Sequence, residues 1–188
     1  MHPIASAIRR VQTSKSKVHI TTLEYIARTF PQYASQQIET IKPFAQSPWW
    51  EPIHTIDIPA NTKTAKQKYE EAVNDPNILC IFIDGSGIEG HIGAMAYFPQ
   101  ASEMKHLYLG NDKQFNVYTA ELSAIDLAVD IADATTATFT KCKIHVDSQD
   151  AIKATVKPGK QSGQSILCTA VKKMEKLILE KGIATEIV

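Results

Sequence analysis

The chain has 188 residues, 44% hydrophobic and 21% charged, an ordinary globular composition that excludes collagen, coiled coils and long disordered tails. Twenty Lys and Arg balance twenty Asp and Glu, so the basic excess of a dedicated nucleic-acid binder is missing, while an enzyme that meets phosphates through bound metal ions stays open. No apolar run is long enough to span a membrane, the N-terminus has no apolar signal core, and Cys80, Cys142 and Cys168 lack metal-ligand spacing. They read as buried reduced thiols of an intracellular protein, nuclear or cytoplasmic alike.

Residues 1–76 hold most of the nine prolines and none of the eight glycines. Short helices are expected over 4–11, 23–30 and 63–73. The segment PFAQSPWWEP (43–52) is broken by proline. Its Trp49 and Trp50, with Phe44 and Phe30, are large apolar groups that should pack on a neighbouring core. We therefore expect 1–76 to form a mostly helical and loop extension docked on a domain covering 77–188.

From residue 79 the pattern sharpens. LCIFID (79–84) is a continuous apolar run, which suits a strand covered on both faces. It leads into Asp84-Gly85-Ser86-Gly87, which reads as a turn. HIGAMAYF (91–98) and KHLYLG (105–110) read as the second and third strands of a meander. Residues 116–134 hold no Gly or Pro and predict a long helix. CKIHVD (142–147) alternates as a fourth strand, and a short helix follows over 148–156, stopped by Pro158-Gly159. Ser162 is a candidate cap for the next helix, with Leu167, Val171, Met174 and Ile178 on one face. Gly182 ends it, and 183–188 begins a fifth strand. The order β-β-β-α-β-α-α-β combines a meander with crossover units.

Turning 100° per residue from Glu121 along the long helix places Ala124, Ile125, Ala128 and Ala132 within 60° of it. Glu121 thus sits at the centre of the apolar stripe, while Asp126, Asp130 and Asp133 fall on the far side as a solvated surface. A carboxylate facing a sheet is costly unless paired or metal-bound. Either a salt bridge to Lys or Arg or a metal would satisfy it. Asp84 and Asp147 each follow an apolar run at a strand's end. On adjacent parallel strands they would lie roughly 5 Å apart, at the edge where α/β proteins place their sites. Three converging carboxylates call for a hard divalent cation, Mg²⁺ or Mn²⁺. Two such ions can activate water and stabilise a leaving oxygen in phosphodiester cleavage. His145, on a strand, reads as structural, and Asp150 as an exposed group one turn past Asp147. The Asp84–Gly87 segment could instead cradle a phosphate in an unrelated α/β enzyme.

The series IFIDGSG, YLG, VYTAELSAIDLAV, IHVDSQDAI and SGQSIL resembles the ribonuclease H domain of retroelement polyproteins, most of all that of fungal LINE-type retrotransposons. The resemblance runs from about residue 79 to 188. Residues 1–76 resemble, more loosely, the connector to a reverse transcriptase domain. The resemblance implies an α/β, ribonuclease H-like mixed five-stranded sheet flanked by helices. It implies metal-dependent cleavage of RNA in RNA–DNA hybrids, with Mg²⁺ or Mn²⁺, two ions in the complete site. Asp84, Glu121 and Asp147 map onto the family's catalytic, metal-binding carboxylates. Gly85 and Ser86 map onto the metal-side turn and Gln149 onto a position touching the hybrid. The family continues into a loop bearing a His and a final helix bearing a fourth Asp. This chain reaches Val188 without them, which implies a C-terminally incomplete domain. The alternative is a catalytically impaired remnant that binds nucleic acid or a protein.

Overall fold

The computed structural model describes residues 22–31, 49–136, 138–158 and 162–188. The helix expected over 4–11 lies outside these, as does Phe44. The chain divides into two compact units, residues 1–43 and 44–188. In the first, the described element is helix α1 (Thr22–Thr29), close to the expected 23–30.

The second unit begins with a short strand β1 (Thr55–Ile56) and helix α2 (Thr62–Val73), whose N-cap Asn61 accepts from the Thr64 N–H. There follow β2 (Ile78–Ile88), β3 (His91–Phe98), a 3₁₀ turn (Pro99–Ala101), β4 (Glu103–Asn111) and the long helix α3 (Val117–Ala134). Then come β5 (Lys141–His145), α4 (Gln149–Val156), α5 (Gln164–Lys181) and β6 (Ala184–Ile187). All six strands form one mixed sheet in the order β1-β6-β5-β2-β3-β4. This is the expected ribonuclease H-like α/β arrangement, with the five strands β2 to β6 enlarged by β1. A two-residue strand is too short to show alternation, so nothing in the sequence announced it.

The sheet's two faces are covered differently. Leu79, Ile81, Ile83, Ala94, Ala96, Ile144 and Ile187 are buried in one core with Leu122, Ile125 and Val129 of α3 and Leu167, Val171 and Met174 of α5. Alternation sends Phe82 and His145 to the other face. There their rings stack at 4.8 Å and Tyr69 of α2 meets both edge-on. His145 is therefore a packing residue, as expected.

Three local expectations change. Asp84–Gly87 is not a turn: β2 runs through it, and the hairpin reverses at Glu89 and Gly90, both with positive φ, the pairing a tight hairpin needs. Helix α5 is not capped by Ser162; its N-cap is Gly163 at φ 72°, without a side-chain cap bond. Trp49 is not packed. It is 83% exposed, whereas Trp50 is half-buried against the core and donates from Nε1 to Glu175 at 2.7 Å. Phe30 is 43% exposed. No described helix is long and apolar enough to cross a membrane.

Candidate metal centre

Strands β2 and β5 are parallel neighbours, with Phe82 opposite His145. Two residues further along each stand Asp84 and Asp147, both exposed. The hydrogen bonding carries on beyond β5, since the Val146 N–H donates to the Val188 carbonyl at 2.9 Å. Asp147 then leads directly into α4, whose N-cap Ser148 accepts from the Ala151 N–H. Both acids are thus fixed by ladder and cap, and point from the carboxyl end of the parallel strands.

Glu121 arrives from α3. Asn116 caps that helix by accepting from the Thr119 N–H at 2.8 Å, and Glu121 lies a little over a turn further on. It is 6% exposed. One carboxylate oxygen of Asp84, Glu121 and Asp147 each can be chosen so that all three lie within 4.8 Å of one another.

Gly85 makes this approach possible. A Cβ there would lie 2.4 Å from the Glu121 backbone nitrogen and 2.8 Å from the Ala120 carbonyl carbon, so helix and strand backbones are nearly in contact. The glycine serves close packing, a different role from the turn expected of it. Its N–H donates to Glu121 Oε1 at 3.2 Å, while Glu121 Oε2 is buried without a partner. No Lys or Arg pairs with Glu121 among the described residues, which removes the salt-bridge reading. Burial, then the charge of Asp147 and less that of Asp84, push its pKa up to about 7 against the Gly85 hydrogen bond. The physical cause is a carboxylate taken from water beside two like charges.

Ser86 is half-buried on β2 and lines a groove beside Asp84. Gln149 is exposed as the first residue of α4. Asp150 is exposed and does not join the cluster; it lines a cleft with Tyr118, Lys153 and Lys157. The only signal for that cleft in the sequence is the i, i+4 spacing of Lys153 and Lys157. The groove beside Asp147 is lined by Pro59 and Ala65 from the N-terminal segment together with Ile83, Val146 and Val188. No pattern in residues 55–65 points to that shared lining.

The residues fit a divalent cation. The donors are all carboxylate oxygens, one of them buried and unpartnered, and hard oxygen sites suit Mg²⁺ or Mn²⁺. Adjacent parallel strands bearing Asp84 and Asp147 also disfavour the unrelated phosphate-cradle reading, in which the two need not meet. The Gly85 N–H that a phosphate would use is directed to Glu121.

No protein-family model matches the chain, and no curated protein does. Solved structures with a similar fold include RNase H1 from the halophilic archaeon Halobacterium salinarum NRC-1, at 16% identity and a TM-score of 0.42, covering 59% of this chain and 83% of that one. The N-terminal RNase H domain of a Mycobacterium tuberculosis protein, solved as a fusion with maltose-binding protein, is 18% identical at a TM-score of 0.38, covering 59% and 86%. LC11-RNase H1, in complex with an RNA/DNA hybrid, is 14% identical at a TM-score of 0.35, covering 58% and 84%.

Proposed function

We propose that the chain is a ribonuclease H-type endonuclease that cleaves RNA in RNA–DNA hybrids with Mg²⁺ or Mn²⁺, its catalytic and metal-binding residues being Asp84, Glu121 and Asp147. The observation that carries this is Glu121: a buried carboxylate with one unpartnered oxygen, facing two exposed carboxylates and no Lys or Arg among the described residues. A fold bears such a cost where the missing partner is supplied from outside. The choice of hybrid rests on the sequence resemblance, which also motivates the finer reading. In that reading the chain is a retroelement domain acting beside a reverse transcriptase, with residues 1–76 as connector and an intracellular place of work. The three free, buried cysteines accord with a reducing compartment.

A cation at the cluster would neutralise developing phosphoryl charge and lower the pKa of attacking water. The chain's own part is positional. The Gly85 N–H fixes one oxygen of Glu121 and leaves the other free; β2 and β5 hold Asp84 and Asp147 side by side; Ser148 caps α4 directly after Asp147. Ser86 and Gln149, flanking the two aspartates, contact the nucleic-acid strand. In the cation's absence Glu121 takes up a proton near neutral pH. The charge balance of the chain gives modest, salt-sensitive binding that reads hybrid shape rather than sequence.

The test is incubation of end-labelled hybrid, single-stranded RNA and duplex DNA with the protein in Mg²⁺ or Mn²⁺. Internal cuts confined to the RNA of the hybrid are expected, and chelator should abolish them. Hybrid that is bound but never cut would point to the alternative of a non-catalytic binding module. Absence of both binding and cutting would overturn the proposal.

A further inference from the structure

The acidic cluster has a neighbour on the open face of the meander. A groove of about 240 Å³ is lined there by Asp84, Ser86, Gly93, Met95, His106 and Tyr108. Register puts these on one face: Asp84 pairs with Met95, which pairs with His106, and Gly93 lies between Ser86 and Tyr108.

Gly93 is the floor. It is not among the positive-φ glycines. A Cβ there would meet nothing nearer than the Leu107 carbonyl oxygen at 3.5 Å, an ordinary contact. Neither backbone conformation nor packing therefore requires glycine, and the effect of the missing side chain is to keep the groove open. At the rim Tyr108 is 62% exposed. Its hydroxyl shares a 2.8 Å hydrogen bond with His91 Nδ1, which holds the ring in place before anything binds.

The lining selects the occupant. No Lys or Arg contributes, so a phosphate group is a poor fit. A phenol, an imidazole, a thioether and a hydroxyl suit a flat heteroaromatic ring with polar edges. The volume lies below the roughly 300–1,000 Å³ of a drug-sized pocket, enough for one nucleoside and not two. Asp84 belongs to both places, so a phosphodiester at the cluster puts an attached nucleoside over the groove. His106 and Tyr108 stand two strand spacings away, roughly 10 Å, a span that one nucleotide bridges. Bases in an intact duplex are turned inward and stacked, and exposing one costs least where it is already unpaired.

We propose that this groove receives one unpaired nucleoside of the strand whose phosphodiester lies at the acidic cluster, so that the protein favours substrates with an unpaired nucleotide beside the cut. The inference rests on the function proposed above and adds a substrate preference to it. The test measures binding of the full chain, in Ca²⁺, to two hybrids: one fully paired, one with a single bulged iodouridine in the RNA strand. The bulged hybrid should bind at least about fivefold tighter, in keeping with aromatic stacking of one base. Ultraviolet cross-linking should join the iodouridine to Tyr108, His106 or Met95. Gly93→Leu, which fills the groove, and Tyr108→Ala, which removes the platform, should each equalise the two affinities without lowering the melting temperature. Equal affinities in the parent, with cross-links only elsewhere, would overturn the groove and leave the nuclease reading standing. No binding of either hybrid would overturn both.

Discussion

Helix α3 carries two groups of acids, and the protein treats them in opposite ways. Towards its C-terminal end Asp126 and Asp130 share Lys173 of α5, at 2.9 and 2.7 Å, and Asp133 pairs with Lys181 at 2.8 Å. Near its N-terminal end Glu121 is more deeply buried than any of these, stands beside Asp84 and Asp147, and meets no lysine or arginine among the described residues. The first group was expected to be a solvated surface; Asp133 is exposed as expected, while Asp126 and Asp130 are half-buried, and all three are ion-paired to lysines of α5. Chemistry that merely holds helices together brings its own counter-charge. Where counter-charge is withheld from a buried acid, the missing partner is to be sought outside the chain.

Cutting separates the two groups most widely. Asp84→Asn, Glu121→Gln or Asp147→Asn should each lower cleavage of the hybrid to below about one hundredth of the parent rate, as loss of a metal ligand does. Asp130→Asn should leave the rate within about twofold, since a surface-type change far from the chemistry costs little. A rate that falls equally in both sets would erase the distinction.

Stability should reverse the order. Lys173→Met leaves Asp126 and Asp130 side by side without a cation and should cost about 1–2 kcal/mol in urea unfolding, a partly exposed pair being worth less than a fully buried one. Glu121→Gln, tested without divalent ions at pH 8, should be at least as stable as the parent, because it removes a desolvated charge from a like-charged site.

The stability of the Glu121 pair of proteins also depends on pH. With a pKa of about 7 in the fold against an ordinary 4.5, Glu121 binds more proton folded than unfolded between those values. The parent therefore loses stability relative to Glu121→Gln as pH rises from about 4.5 to 7, and the gap is constant above that. His54 and His145 run the other way, both pushed by burial from 6.5 to about 4, so that they favour the fold increasingly as pH climbs through that interval. They are common to both proteins and cancel in the difference. A difference curve flat from pH 4 to 8 would contradict the burial of a titrating Glu121.

Much of this site is legible in the sequence because it follows from periodicity. Glu121 falls at the centre of the α3 apolar stripe by angle alone, and Asp84 and Asp147 are marked by the apolar runs before them. The parallel pairing of β2 with β5 is the crossover that the helix between meander and fourth strand demands. What escaped depends on contacts between distant segments. Gly85 looks like a turn glycine until α3 is laid against it at a distance that admits no Cβ. The ion pairs of Asp126, Asp130 and Asp133 depend on how α5 docks, which a single helical wheel does not contain. Tyr69 of α2 reads as one aromatic in a polar helix until Phe82 and His145 are found beneath it.

The most direct measurement is the melting temperature of the parent and of Asp84→Asn, with and without millimolar Mg²⁺ or Mn²⁺. If the cluster is a site completed by a cation, Asp84→Asn is at least as stable as the parent without the ion. The parent then gains on adding it, by about 2.7 kcal/mol at a hundredfold excess over the dissociation constant, and the variant does not. An Asp84→Asn protein that is markedly destabilised without the ion, beside a parent that shows no response to it, would contradict the account.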